Sequence, residues 1–511
     1  MSIALAISPA LEASARSGLQ HLIDDGFAGR LRARDATLWG SQAQSEASQR
    51  LGWIDPFARS AAVLDEALEL RASLNRRGID RVVLCGMGGS SLGPEVVARE
   101  AGVPLRVLDS THPDEVRRAL AGDLSRTVAV ISSKSGSTIE TRLHSLLFER
   151  AFEAAALDPR EHLVYVTDPG SPFAARASDG YRVFLADPEV GGRFSVLTAF
   201  GIVPTALAGA DAARLLEDAR AMQEALCADE AGNPALRLAA VLAAGLPERY
   251  ALLLAETADP RIGLGDWIEQ LVAESTGKHG KGLLPIALPS DASELQVPPE
   301  QALVALLGIE SAPNESSDGE DSSTKPIGAD LSIRGSLGAQ LLLWEVATAA
   351  LGRLMGINPF DQPDVETAKQ AARAVLASDT GTPALHPLPG DDALVAELRD
   401  LVPDNGYVAL QAFIDRESAA GDRARLLRRR LSDALEAPVS LGWGPRYLHS
   451  TGQLHKGGPA LGVFVQIVDS SCEPLSVPGG AGELGALLRA QAHGDREVLE
   501  RRGRPVLAFA L

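Results

Sequence analysis

The sequence predicts an α/β protein whose parallel sheets are covered by helices on both faces. Three observations carry that reading. Short apolar runs such as Arg81–Cys85 (RVVLC) recur between segments whose apolar residues have helical spacing. Glycine- or serine-rich stretches follow two of these runs directly, at Gly86–Ser91 and Ser132–Thr138, the position at which open α/β sheets bind ligands. The chain of 511 residues is 45% hydrophobic and 23% charged, which suits a folded protein and excludes global disorder. At roughly 150 residues per domain it has room for about two to four domains.

In chain order, residues 1–57 are expected as an N-terminal helical arm. A first subdomain, 58–230, opens with a helix at Ala61–Asn75 and the strand Arg81–Cys85. Strands follow at Pro104–Leu108, Thr127–Ser132, His162–Val166 and Arg182–Leu185, then helices at Ser195–Gly209 and Asp211–Cys227. A second subdomain, 231–390, has a helix at Pro234–Ala244, strands at Tyr250–Ala255 and Leu283–Leu288, and helices at Trp267–Glu274 and Leu342–Met355. Within it, residues 311–328 are acidic and poor in apolar residues, and read as a surface loop. Residues 391–511 are expected as a C-terminal α/β extension packing on the second subdomain, with strands at Tyr407–Leu410 and Val463–Val468.

Charge narrows the partners. Against 67 Asp+Glu stand 48 Lys+Arg, a net charge of −19. Nucleic acid and anionic membranes need a basic footprint, so neither is expected as a partner. No run approaches the ~18 apolar residues of a membrane helix, and the first residues lack the basic start of a secretory signal. The three cysteines, Cys85, Cys227 and Cys472, are far apart and form no CxxC pair. Neither a disulfide framework nor a zinc site is expected, and a reduced cytoplasmic location is.

Six motifs could carry chemistry. Gly86–Pro94 (GMGGSSLGP) places glycines after a strand, where the backbone can turn sharply and approach a ligand. The spacing is GxGG, not the dinucleotide pattern GxGxxG. In Ser132–Thr141 (SSKSGSTIET), Ser132, Ser133, Ser135, Ser137 and Thr138 put five hydroxyls, with Lys134, in the loop before a helix. One cap needs one hydroxyl, so this loop reads as an anion site. Arg193 follows two glycines in Gly191–Ser195 (GGRFS) and keeps its charge at any working pH. Glu274 opens the basic, glycine-rich stretch Glu274–Gly282 (ESTGKHGKG), where a carboxylate can act as a general base. Asn358–Lys369 (NPFDQPDVETAK) marks a turn and then a helix start rich in acids. His449–Gly458 (HSTGQLHKGG) supplies two of the nine histidines, and His279 lies in the fourth motif.

Taken in order, GMGGSSLGP, SSKSGSTIET, GGRFS, ESTGK and NPFDQPDVE resemble the signatures of the glucose-6-phosphate isomerase family, over roughly residues 51–369. The remainder, with LHSTGQLHKGGP and Val477–Leu499, is similar to the isomerase half of bifunctional transaldolase–glucose-6-phosphate isomerases. The resemblance implies two sugar-isomerase (SIS) subdomains with a sugar phosphate between them. It implies reversible isomerisation of glucose 6-phosphate and fructose 6-phosphate through a cis-enediol, a step of glycolysis and gluconeogenesis. Ser133, Lys134, Ser135 and Thr138 would then grip the phosphate, with Ser137 close by and Gly89 and Ser90 lining the pocket. Glu274 matches the base that moves the proton between C1 and C2, and Arg193 the cation that holds the enediolate. Lys369 matches the lysine near the ring oxygen.

The family carries its ring-opening histidine before the NPFDQP segment, but Arg334–Gln340 here contains none. His449 takes the role, with His455 and His279 as alternatives. Such chemistry needs no metal and no cofactor, and none is expected. The resemblance further implies a homodimer and a separate transaldolase as a pathway partner. Mannose 6-phosphate or a 6-sulfo sugar is the alternative substrate, and a non-catalytic SIS-type sensor the alternative class. A sensor needs the phosphate loop but has no use for Glu274, Arg193 and Lys369 together.

Overall fold

The computed structural model describes residues 3–257, 261–310, 328–363 and 383–511. Fifteen strands among these residues form three five-stranded sheets. The chain enters on β1 (Ala4–Ile7), then builds the first sheet from β2 (Arg81–Gly86), β3 (Arg106–Leu108), β4 (Thr127–Ser132), β5 (Leu163–Thr167) and β6 (Arg182–Leu185). Their order is β3-β2-β4-β5-β6, with every neighbouring pair parallel. The second sheet takes β7 (Ala251–Glu256), β8 (Leu284–Leu288), β9 (Ala302–Ile309) and β10 (Leu331–Gly335), in the order β1-β10-β9-β7-β8. The third takes β11 (His386–Pro387), β12 (Tyr407–Phe413), β13 (Val439–Trp443), β14 (Gly462–Val468) and β15 (Val506–Ala510), in the order β11-β15-β14-β12-β13.

Each sheet repeats one device. The chain steps from a first strand to a neighbour on one side, then crosses to the other side for the third. The reversal falls between β2 and β4, between β7 and β9, and between β12 and β14. Beyond the carboxyl ends of such strand pairs lies the crevice in which open α/β sheets hold ligands.

Burial on both faces explains why these strands read as continuous apolar runs. In β2, Val82 and Leu84 enter the largest core, while Val83 and Cys85 enter a second one on the opposite face. In β4, Val128 and Val130 face the first core and Ala129 and Ile131 the second, the period of two that a pleated strand imposes. The largest core continues into the second sheet through Leu252, Leu254, Leu303 and Ala305. The helix Leu337–Met355 runs between, buried from Leu337 to Gly352.

Three features differ from the sequence reading. The N-terminal arm is not wholly helical, because Ala4–Ile7 pairs antiparallel with β10 and completes the edge of the second sheet. The C-terminal extension is a full parallel sheet and rests on both subdomains. Tyr407, Ala409 and Phe464 share a core with Leu253 and Ile286 of the second, while Val477, Leu484 and Leu487 join Phe148 and Tyr165 of the first. β9, β10, β11, β13 and β15 were not expected as strands. ALVALLGI in β9 is apolar throughout, so periodicity alone does not separate a buried strand from a buried helix. The acidic segment lies, but for Gly328, outside the described residues. Among the described residues no helix is long and apolar enough to cross a membrane.

Candidate active site

Two loops at the β2/β4 reversal begin the site. After β2, Gly88 takes a left-handed backbone (φ 56°), a conformation that costs glycine little. Gly89 then passes so close to the Gly191–Ser195 loop that a Cβ there would lie 1.9 Å from the Gly192 carbonyl oxygen. The first and third motifs are thus packed backbone to backbone. Ser90 is buried, and Ser91 donates to the Gly88 carbonyl (3.1 Å) and to Asp109 (3.3 Å).

After β4, the second motif wraps the start of the helix Ile139–Ala154, whose N-cap residue Thr138 makes no side-chain capping bond. The hydroxyls pair among themselves, Ser133 donating to Thr138 (3.1 Å) and Ser135 lying 2.8 Å from Ser137. The helix start therefore keeps backbone N–H groups open toward an anion. Lys134 is tied to the loops after β5 and β6, with Nζ 2.5 Å from Asp168 Oδ2 and 3.3 Å from the Pro188 carbonyl.

The helix Leu264–Thr276 brings the carboxylate. Its N-terminus is capped by Glu256 at the end of β7, which accepts from the backbone N–H groups of Ile262 (2.7 Å), Gly263 (3.1 Å) and Gly265 (3.0 Å). An acid there suits the helix dipole. At the far end Glu274 is buried, with Oε1 3.2 Å from Arg193 Nη1 and Oε2 accepting from Gln270 Nε2 at 3.1 Å. Arg193 is held on all sides. Nε donates to Ser275 Oγ (2.8 Å), Nη1 to Gln362 Oε1 (3.1 Å), and Nη2 to the Pro359 and Asp361 carbonyls, the latter at 3.2 Å. Burial lowers the guanidinium pKa, and the Glu274 carboxylate opposes that shift. Lys278 grips the same turn, donating to Asp361 O and Oδ1, both at 2.6 Å, and to the Asn358 carbonyl. Burial, reinforced by the Arg193 charge, pulls the Lys278 pKa from 10.5 down to about 8.

His449 comes from the third sheet, at the end of the short turn Arg446–His449. Its Nε2 lies 3.0 Å from Glu140 Oε1, which also accepts from Gln491 Nε2 at 2.7 Å. A carboxylate on Nε2 fixes the tautomer that keeps Nδ1 free as an acceptor. Its carbonyl accepts from Gln270 Nε2 at 2.8 Å, so one amide joins the His449 turn to Glu274. A Cβ on Gly88 would meet that same carbonyl at 2.6 Å.

The structure thus gathers Gly89, Ser90, Arg193, Glu274 and His449, with the Ser133–Thr138 loop beyond the neighbouring strand. Lys369 lies outside the described residues. His455 is a core histidine, 3.2 Å from the Tyr407 hydroxyl and stacked on its ring. Burial, helped by Lys456 and Arg504, lowers its pKa to about 3. His279 is exposed with φ 54°. Sequence reasoning missed Glu140, Gln270 and Gln491 as site members. Gln270 stands four residues before Glu274, the spacing of facing helical side chains, but nothing marks Gln491, 351 residues from its partner. Away from this site, His112 groups with Asp469 and Cys472, and with Asp114 and Asp415. Its Nδ1 accepts from the Asp114 N–H (3.3 Å) and its Nε2 faces Asp469 (3.1 Å), so both ring nitrogens are engaged within the fold.

The phosphoglucose isomerase family model matches residues 72–278. A glucose-6-phosphate isomerase of Thermus thermophilus is 32% identical over 391 residues, 65% of this chain and 92% of that protein. The chain belongs to the glucose-6-phosphate isomerase family. A probable glucose-6-phosphate isomerase of Haloarcula marismortui is 31% identical, over 59% of this chain and 79% of its own length. Among solved structures, a hypothetical protein from Thermus thermophilus is 27% identical with a TM-score of 0.61, covering 73% of this chain and 100% of that one. A glucose-6-phosphate isomerase from Chlamydia trachomatis shares the fold at a TM-score of 0.58 and 18% identity, over 78% of this chain and 92% of that one. The family model spans Gly89, the Ser133–Thr138 loop, Arg193, Glu274 and Lys278.

Proposed function

We propose that the site described above performs the reaction of the glucose-6-phosphate isomerase family, the reversible interconversion of glucose 6-phosphate and fructose 6-phosphate. The observation that carries this reading is the buried Glu274 carboxylate held between Arg193 (3.2 Å) and Gln270 (3.1 Å). A carboxylate so fixed can take a carbon-bound proton, and a cation beside it can meet the charge that the removal creates.

The phosphate sits on the Ser133–Thr138 loop, gripped by Ser133, Ser135, Ser137, Thr138 and the open amides of the helix start. Lys134 adds its charge to the loop while held by Asp168. Gly89 and Ser90 form the wall against the sugar. His449 assists ring opening by taking the O1 proton on Nδ1, while Lys369 serves the ring oxygen as the C1–O5 bond breaks. Glu274 then removes the C2 proton of the open aldose. The C–H electron pair becomes the C1=C2 bond, and the carbonyl π pair moves onto O1, whose negative charge faces Arg193. The O2 proton passes to O1, and Glu274 returns the carbon-bound proton to C1. The C1=C2 pair forms the new C–H bond and the O2–H pair the C2=O2 bond, which gives the ketose.

Glu274→Gln tests the assignment. The amide keeps one acceptor oxygen for Arg193, turns its NH2 toward Gln270, and cannot take the proton. Exchange at C2 of glucose 6-phosphate in D₂O should fall by about 10²-fold or more, with Kd for the substrate little changed. Exchange at the wild-type rate would remove Glu274 from the mechanism.

A further inference from the structure

The third sheet docks on the first through charges that are almost entirely out of water. Asp109, fully buried after β3, faces Arg416 Nη1 at 2.9 Å through one carboxylate oxygen and Arg446 Nη1 at 3.0 Å through the other. Arg446 also reaches Glu95 Oε2 at 2.7 Å. Arg416 lies 3.6 Å from Glu115 and donates its backbone N–H to the same carboxylate at 3.3 Å. Both arginines come from the third sheet region and all three acids from the first.

Arg446 differs from Arg416 in where it sits. It begins the turn Arg446–His449, while Arg416 follows β12, far along the chain from that turn. The turn is fixed along its length, its last carbonyl accepting from Gln270 Nε2 at 2.8 Å. Arg446 holds its start to the first subdomain, the Tyr447 hydroxyl donates to Asp495 at 2.6 Å, and His449 meets Glu140 at its end. Asp109 also accepts from Ser91 (3.3 Å), so the glycine loop after β2 and the histidine turn share one anchor.

We propose that Arg446 is a positioning residue for catalysis, its paired bonds to Asp109 and Glu95 setting where His449 meets the sugar ring. The inference rests on the assignment of ring opening to His449. Arg446 does not touch substrate; it acts through the turn. A displacement of about 1 Å at a reacting group costs as much as 10²-fold in rate, and this turn has one ion-paired tie to the subdomain that binds the phosphate at its start.

The variant is Arg446→Gln. Both acids keep another arginine after the change, Asp109 retaining Arg416 and Glu95 retaining Arg99 at 2.6 Å, so no carboxylate is stranded. Expected is a fall in kcat of about 10- to 10²-fold with KM changed less than about two-fold, since the phosphate loop is untouched. Arg446→Lys, which reaches one acid at a time, should recover part of the loss. Glu115→Gln weakens the same interface at Arg416 without touching the turn and should leave kcat near wild type. Glu95→Gln carries the test with a milder lesion if Arg446→Gln does not fold, again with kcat falling and KM held. Wild-type kcat in Arg446→Gln, or in Glu95→Gln standing in for it, would overturn the proposal. So would an equal loss in Glu115→Gln, which would make the network a general dock. His449→Gln, run alongside, separates the two readings. If it retains full kcat, the histidine assignment has failed. If it is inactive while Arg446→Gln is normal, only the positioning role has.

Discussion

Lys278 and Arg193 hold one turn with two buried cations, and their chemistry makes different demands on the site. Arg193 stays charged whatever the pH, whereas Lys278 sits at about 8, below its ordinary 10.5. Between those values the unfolded chain binds the lysine proton and the folded one has released it, so this group makes stability rise with pH across that window. Below pH 8 its full penalty is present, on the order of 3 kcal/mol. Relative to Lys278→Met, wild type is expected to gain stability between pH 8 and 10, measured by urea unfolding; parallel curves would reject the buried-cation account. At this scale the sequence was informative wherever a residue type is chemically distinctive in its motif. Glu274, Arg193 and the hydroxyl loop stood out. Gln270, Glu140 and Gln491 did not, because a glutamine or a helical glutamate has many ordinary uses and only contact across the fold gives these theirs. Lys134 was legible as a loop cation, but its turn toward Asp168 depends on a partner after β5 that spacing alone does not orient.

The elements meet most tightly where glycines remove side chains. Gly89 against Gly192 is the sharpest case, since the intruding Cβ would strike backbone rather than the end of a flexible side chain. Gly89→Ala must therefore push the two loops apart, at a cost of about 1–3 kcal/mol if the strain relaxes as in an overpacked core. The expected signature is a loss of kcat/KM far larger than the fall in Tm predicts, because the loops carry the pocket wall and Arg193. Activity falling only in step with stability would contradict it. Elements with a strong apolar pattern and a turn at their end were legible: the buried Thr127–Ser132 and Pro234–Ala244, and the edge strand Arg182–Leu185, have the bounds expected. β1 and β15 were not, because each is a short strand whose only long-range information is the neighbour it pairs with. β13 carries a glycine within VSLGW, which weakens a strand pattern read locally.

Across the whole molecule, the third sheet couples stability to function. His455 lies in its aromatic core, neutral in the fold with a pKa near 3 against 6.5 in the unfolded chain. The unfolded state therefore binds its proton first as pH falls through 6.5, and stability drains between there and about 3. His455→Phe should remove part of that acid loss, followed by thermal unfolding at pH 7 and pH 5; an identical pH dependence in the two proteins would count against it. The same dependence of one region on another sets an order of events during synthesis. Glu140 is made 309 residues before His449 and 351 before Gln491. At about 5–20 residues per second, roughly 15–60 s separate the carboxylate from its histidine. Once Glu274 is made, 175 residues before His449, the nascent chain carries the proposed phosphate loop, arginine and base but not the histidine proposed to open the ring. On that assignment catalysis switches on only as the last domain closes.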